Sequence, residues 1–328
     1  MLRTIVFVTT IFITIVALGT LSRADANDQS FENWLSSFKT EAISKGIDQS
    51  ILDAAFADVS GPIARIIELD RKQPEGTMTF AQYKRRVISQ ARIEQGRRMY
   101  RQHRNALEAA ARQYGVPANY IVALWGIETS YGNNTGGFGV ISALATLAYD
   151  GRRSAFFRSE LLNALKILQQ GHIDPARMKG SWAGAMGQNQ FMPSSFNAYA
   201  VDGNNDGRRD IWTSLPDVFA SSANYLSKHG WKEDQRWGRE VKLPSNFPPS
   251  LASLDIKKSL NEWKDMGIRL PSGAAIPTAP GMKASVVLPD GINGPAFLAY
   301  DNYRVIMRWN KSTYFATSVG LLADSISY

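Results

Sequence analysis

The chain contains no cysteine among its 328 residues. That absence excludes disulfides, a thiol nucleophile, any zinc site built on thiolates, and a lipid held by a cysteine thioether. Histidine is nearly as scarce: His103, His172 and His229 stand far apart, with no spacing that would gather them round a metal. No internal repeat and no low-complexity tail are found, and no separate binding module is expected near the end, where helix signals persist. Long apolar runs are also rare; there is one, from Thr4 to Leu21. It follows Arg3 and leads to Ala24-Asp25-Ala26, the layout of a secretory signal peptide (1–26) cleaved after Ala26. Its 18 residues reach the lower limit for a spanning helix, so an uncleaved N-terminal anchor is the alternative.

What remains is ordinary for a globular protein, with 44% hydrophobic and 20% charged residues. The length suffices to bury a sizeable core. The formal charge is +8. Removal of residues 1–26 takes away Arg3, Arg23 and Asp25, leaving 35 basic against 28 acidic residues, or +7. A basic surface suits a polyanionic partner. The basic stretches Tyr83-Lys-Arg-Arg86 and Arg97-Arg98-Met-Tyr-Arg101 read as a solvated helix face. With no zinc-finger or RNA-binding signature, nucleic acid is not the expected partner.

Periodicity predicts a mainly α (α+β) fold. Trp34, Phe38, Ile43 and Ile47 mark helix within 31–56. A long polar helix or pair is predicted over 79–114, further helices over 142–149, 156–170 and 217–229, and one helix over 251–267. Residues 284–288 have strand character, and 296–307 read as a strand, a turn at Asp301-Asn302 and a second strand. Ser312 is placed to cap a last helix to Ser325.

Two segments carry chemistry. In the first, Ile121-Val-Ala-Leu-Trp-Gly-Ile-Glu-Thr-Ser-Tyr-Gly132, helical spacing puts Ile121, Leu124, Trp125 and Glu128 on one face, with Pro117 opening the helix and Gly132 closing it. A carboxyl on an apolar face has its pKa raised, as a glycosidic general acid requires. The alternative is a helix-end glutamate reaching solvent. In the second, Gly180-Ser-Trp-Ala-Gly-Ala-Met-Gly-Gln-Asn-Gln-Phe-Met-Pro-Ser-Ser195, small residues permit close approach of a ligand. Gln188, Asn189 and Gln190 offer donors and acceptors for hydroxyl and acetamido groups. The alternative is a loop packed tightly for structural reasons.

Together the segments resemble lysozyme-like lytic murein transglycosylases of the membrane-bound lytic transglycosylase B family. The resemblance rests on Gly-Ile-Glu-Thr-Ser-Tyr-Gly at 126–132, Ala-Leu-Ala-Thr-Leu at 143–147 and Gly-Ala-Met-Gly-Gln-Asn-Gln-Phe-Met-Pro-Ser-Ser at 184–195. It extends through Asp-Gly-Asn-Asn-Asp-Gly at 202–207, Ser-Ala-Asn-Tyr-Leu at 222–226 and Arg-Trp-Asn-Lys-Ser at 308–312. It implies a periplasmic enzyme that cleaves peptidoglycan between N-acetylmuramic acid and N-acetylglucosamine, leaving 1,6-anhydromuramoyl ends, with one glutamate, Glu128, as acid then base. It implies an N-terminal helical part (27–115), a lysozyme-like core (116–229, completed by 307–328) and a small strand-containing insertion (230–306). Ser181 and Gln190 would contact the sugar near the cleaved bond. Arg152 and Arg153 would reach the glycan or its lactyl and peptide carboxylates, Tyr225 would line the groove, and Asn310 would contact the catalytic region. Trp309 stands where some members have tyrosine, which keeps a ring and loses a phenolic hydrogen bond.

No second carboxylate is evidently paired with Glu128; Asp150, Asp202, Asp206 and Asp210 are candidates by type alone. Other readings are a water-using muramidase and a non-catalytic peptidoglycan-binding scaffold, with other cell-wall enzymes as candidate partners. No cofactor is required. The stretch from Asp202 to Asp210 nevertheless has calcium-loop spacing: Asp202, Asn204 and Asp206 at positions 1, 3 and 5, Gly207 at 6, and the Arg208 carbonyl at 7. Position 12 is Thr213 rather than glutamate, so weak structural calcium, with Asp217 as substitute ligand, stands beside a plain Asx-rich turn.

Overall fold

The computed structural model describes residues 30–72 and 78–327; the apolar run and the Ala-x-Ala site lie outside the described residues. The chain opens with α1 (Phe31–Ser44), α2 (Gln49–Phe56) and α3 (Ala64–Arg71), followed by α4 (Phe80–Val87), α5 (Gln90–Gln102) and α6 (Arg104–Tyr114). The single helix or pair expected over 79–114 is thus three. Ser89 breaks it by accepting a hydrogen bond from Arg92 N and so capping α5, and His103 both ends α5 and begins α6.

Next come α7 (Ala118–Thr129), β1 (Phe138–Gly139), α8 (Val140–Tyr149), α9 (Ser154–Gln169), β2 (Lys179–Gly180), α10 (Pro193–Tyr199) and α11 (Leu215–Lys228). The short strands β1 and β2 pair antiparallel, Phe138 opposite Gly180. After α11 lie β3 (Gly238–Val241), β4 (Lys258–Ser259), α12 (Leu260–Asp265), β5 (Lys283–Val287) and β6 (Ala296–Ala299), then α13 (Asp301–Trp309) and α14 (Thr313–Ile326). The four strands form an antiparallel sheet in the order β3-β6-β5-β4. Ser312 caps α14 as expected, accepting from Phe315 N at 3.3 Å.

Two expectations fail in this region. Residues 251–267 are not one helix. The carbonyls of Leu254 and Ile256 are drawn off by Ser285 Oγ, Leu254 also by Arg304, and Lys258 pairs with Ala284. Helix begins only at the capping box of Ser259 and Glu262. Residues 301–309 are helix rather than turn and strand, because the buried Asn302 anchors the segment to Lys232 and Gln235 through three side-chain hydrogen bonds: Oδ1 accepts from Lys232 N, and Nδ2 donates to the Lys232 and Gln235 carbonyls. That leaves Tyr303, Val305 and Ile306 buried at helical spacing.

One continuous apolar core runs from Phe31 to Ile326 and joins side chains of α1 and α2 to those of α7, α8, α9 and α14. A second, smaller cluster around Val241, Trp263, Val286 and Leu298 belongs to the sheet.

Candidate active site

Helix α7 is buried over nearly its whole circumference, from Tyr120 to Gly126 and again at Thr129. The single apolar face expected from its spacing is therefore an all-round apolar surface, as befits a central helix. Its neighbours are α5, α6, α11 and α14. Gly126 is required by close approach: a Cβ there would stand 2.6 Å from the Tyr131 ring. The helix is closed not by Gly132 but by Ser130 and Tyr131, both in the left-handed region at φ 50° and 60°. Such residues cost about 1 kcal/mol or more apiece, so the turn is held by its surroundings.

Each residue of the Glu-Thr-Ser-Tyr-Gly run has a partner. Thr129 Oγ1 donates toward the Gln188 carbonyl at 3.1 Å and accepts from Gly132 N at 3.1 Å. Ser130 Oγ accepts from Arg92 at 2.9 Å, and Tyr131 OH donates to the Arg92 carbonyl at 2.8 Å. Gly132, at φ 82°, lies where a Cβ would meet Gln188 Oε1 at 2.4 Å. The turn thereby locks Glu128 between the loop at 180–195 and helix α5.

Glu128 keeps some solvent-facing surface, yet its carboxyl is largely enclosed. Burial pushes its pKa up to about 7, and a hydrogen bond from Trp309 pulls the other way. Trp309 Nε1 donates to Glu128 Oε1 at 2.8 Å. The hydrogen bond expected to be lost with the tyrosine ring is therefore supplied by the indole. Trp309 is wedged between Phe191 and Tyr225, with ring centroids at 5.1 and 4.8 Å. Tyr225 is buried, and its hydroxyl donates to the Arg308 carbonyl at 2.7 Å. Its ring packs against Trp309. Asn310 is exposed beside Trp309 and accepts from Ser312 N at 3.0 Å.

The loop at 180–195 folds on itself. Ser181 N donates to the Ala185 carbonyl at 2.8 Å, and Ser181 Oγ accepts from Ala185 N at 3.1 Å. Gln190, at φ 50°, donates to the carbonyls of Thr135 and Gly187 at 3.1 and 2.8 Å. Gln188 and Asn189 are not free for sugar as expected; both are buried. Gln188 Oε1 accepts from Trp125 Nε1 at 2.7 Å, and Asn189 Nδ2 bonds Val218 and Ser222.

The candidates for a second carboxylate are committed elsewhere. Asp150 pairs with Arg71 at 3.0 Å, Asp202 accepts from Asp206 N and Gly207 N, Asp206 from Arg208 N, and Asp210 from Trp212 N and Thr213 N. Arg152 and Arg153 are not gathered at Glu128 either. Both engage Asp70 at the end of α3 while remaining half-exposed.

A lone, enclosed carboxyl held by an indole at the end of a central helix prompts comparison with known enzymes. Residues 30–324 match the transglycosylase SLT domain. The chain belongs to this transglycosylase family. It is 33% identical over 264 residues to membrane-bound lytic murein transglycosylase B of Escherichia coli K12, across 78% of this chain and 70% of that protein. SltB3 of Pseudomonas aeruginosa, solved with NAG-anhNAM-pentapeptide, is 47% identical with a TM-score of 0.88, over 91% of this chain and 80% of that one. The Escherichia coli lytic transglycosylase Slt35, solved in complex with calcium, is 29% identical with a TM-score of 0.76, over 89% and 92% of the chains.

The calcium spacing of this family member can be tested on its own atoms. Asn204 Oδ1 accepts from Asp206 N, and the exposed loop is tied by Asx-type bonds. Asp217, the substitute ligand, is buried and turned to the loop backbone: it accepts from Gly203 N at 2.9 Å and Asp210 N at 2.6 Å. Burial raises its pKa. Among the described residues no three acidic or histidine side chains converge as a metal site. The residues thus supply an Asx-rich turn whose oxygens bond within the loop, and Thr213 leaves it without a closing carboxylate.

Sequence reasoning missed two contributors from the N-terminal part. Arg92 holds the Ser130-Tyr131 turn. Tyr83 on α4 lies near Tyr314, centroids 5.7 Å apart; burial, and then the charge of Glu128, raise its pKa. Lys84, Arg85 and Arg86 are exposed, as expected of a solvated face, and Tyr83 among them is turned inward. Only an isolated aromatic within a basic stretch signalled it.

Proposed function

We propose that Glu128 alone performs both proton transfers in cleavage of peptidoglycan, the substrate of this family of lytic transglycosylases. The protonated carboxyl donates to the oxygen between N-acetylmuramic acid and N-acetylglucosamine, and the C1–O bond breaks. The acetamido group of the muramoyl sugar stabilises the cationic centre. The carboxylate then takes the proton of the same sugar's 6-hydroxyl, whose oxygen bonds to C1. A 1,6-anhydro ring results, and no water is consumed. One observation carries the reading: a carboxyl pushed to about 7 has both forms accessible near neutrality, and among the described residues no second carboxylate acts on it. The SltB3 complex, with its anhydro sugar, supports it.

Ser181, Gln190, Trp309 and Asn310 are proposed to contact the sugars beside Glu128, Arg152 and Arg153 the glycan or its lactyl and stem-peptide carboxylates, and Tyr225 to line the groove. Residues 27–115 would flank the core of 116–229 and 307–328, and 230–306 would form the insertion. The Asp202 loop is proposed to take calcium weakly and for stability alone, in keeping with the Slt35 complex.

Mass spectrometry of digested sacculi tests the reaction. Anhydromuramoyl ends are expected; reducing ends would make the enzyme a hydrolytic muramidase, and failure to solubilise sacculi would make it a scaffold. The proposed address is the periplasm, exported on residues 1–26. No helix among the described residues is long and apolar enough to cross a membrane. Fractionation with N-terminal sequencing tests this: a chain beginning at Asn27 in the periplasmic fraction supports it, and an intact Met1 in the membrane pellet refutes it.

A further inference from the structure

Asp70 is a fully buried carboxylate at the end of α3, outside the catalytic centre. Burying a carboxylate is costly unless it is paired, and an apolar side chain of like volume would pack α3 at less cost. Its partners come from the loop between α8 and α9. Arg152 Nη1 donates to the Asp70 backbone carbonyl at 2.9 Å and stands 3.5 Å from Oδ2, which takes no hydrogen bond of its own. Arg153 Nη2 donates to Oδ1. The same loop returns the exchange, since Asp150 pairs with Arg71 at 3.0 Å. The loop adopts a demanding backbone for this purpose, with Gly151 at φ 86° and Arg153 at φ 59°. The Arg153 guanidinium also lies 5.0 Å above the Phe157 ring.

Both arginines keep much of their surface, 51% and 44% of the side chain. A guanidinium has five N–H donors, and each of these groups commits only one nitrogen to Asp70. Each guanidinium is thus tied through one nitrogen while much of its surface stays exposed, an arrangement suited to taking a carboxylate through a bidentate fork at a smaller loss of side-chain freedom.

We propose that Asp70 is a positioning residue, which orients Arg152 and Arg153 so that the enzyme favours glycan bearing stem peptides over bare glycan. The inference rests on the reading of the two arginines given above. What a carboxylate alone can supply to the end of α3 is a shared anchor for two guanidinium groups.

The test compares Asp70→Asn and an Arg152→Ala/Arg153→Ala double variant with wild type. The readout is the ratio of kcat/KM on pentapeptide-bearing glycan to that on amidase-stripped glycan, with melting curves run in parallel. Both variants should lower the ratio by about five-fold or more, chiefly through KM on the peptide-bearing substrate. A wild-type ratio in Asp70→Asn together with a lowered one in the double variant overturns this inference and leaves the reading of the arginines standing. A wild-type ratio in the double variant overturns that reading, and this inference with it. Equal loss on both substrates by Asp70→Asn, with a lowered melting temperature, reduces Asp70 to a structural residue and also overturns the inference. Should Asp70→Asn not fold, guanidinium relaxation in the wild type decides. Rigid Nε–H vectors of Arg152 and Arg153 in free enzyme are expected, and order parameters below about 0.6 overturn the proposal.

Discussion

Replacing Glu128 by glutamine should make the protein inactive and, above pH 7, more stable. The amide keeps the shape and can still accept from Trp309 Nε1, but it cannot give and retrieve a proton. General acid–base catalysis is typically worth ~10²–10⁴-fold, and here one residue is proposed to supply both transfers. The stability effect follows from linkage. The ordinary carboxyl value of 4.5 is raised to about 7 in the folded protein. Between those values the folded state binds more protons than the unfolded one, so stability falls as pH rises. The stabilisation is fully present below about 4.5 and is lost as pH rises through about 7. At about 1.36 kcal/mol per pK unit, the ionised Glu128 costs about 3 kcal/mol at pH 8. Glutamine carries no such charge. Thermal melts of wild type and Glu128→Gln should coincide near pH 4.5 and diverge by several degrees by pH 8, the variant melting higher. A difference that does not change with pH would refute the claim that burial holds this proton, and substantial anhydro product from the variant would remove Glu128 from the mechanism.

Three other perturbations follow from the same geometry. Trp309→Phe removes the one hydrogen bond that lowers the Glu128 pKa, so the basic limb of the kcat/KM pH profile should move to higher pH; an unmoved limb would refute that role for the indole. Gln188→Ala leaves the buried Trp125 Nε1–H without an acceptor and should destabilise the protein by about 1–3 kcal/mol in urea unfolding, whereas a sugar-binding Gln188 would show chiefly as a raised KM. Calcium at about 10 mM, against a dissociation constant on the order of 1 mM, should raise the melting temperature by about 2–4 °C. Chelation should leave the rate unchanged, and an unmoved melting temperature would make the Asp202 loop a turn only.

The helices were legible where apolar periodicity and a local cap agreed. Ser312 and the residues after it announce α14, and Phe157, Leu161, Leu165 and Leu168 announce α9, all four of them buried. Legibility failed where distant groups competed for the backbone. Nothing within 251–267 reveals that Ser285 and Arg304 take the carbonyls of Leu254 and Ile256. Nor does the sequence around Asp301 reveal that Asn302 will be buried against Lys232 and Gln235.

The same division runs through the site. Gly-Ile-Glu-Thr-Ser-Tyr-Gly and the loop at 184–195, with the motifs that follow them in order along the chain, carried the resemblance to the family and, through it, the expectation that Glu128 does the chemistry, because such motifs are written in consecutive residues. Only the tertiary structure decided which neighbours do what. It brought Trp309, 181 positions away, to the carboxyl, turned Gln188 and Asn189 inward as supports, and set Arg152 and Arg153 on Asp70. Hydrogen bonds and desolvation act over a few ångströms, whatever the separation along the chain, so a pKa near 7 or a buried ion pair exists only once the fold has made its enclosure.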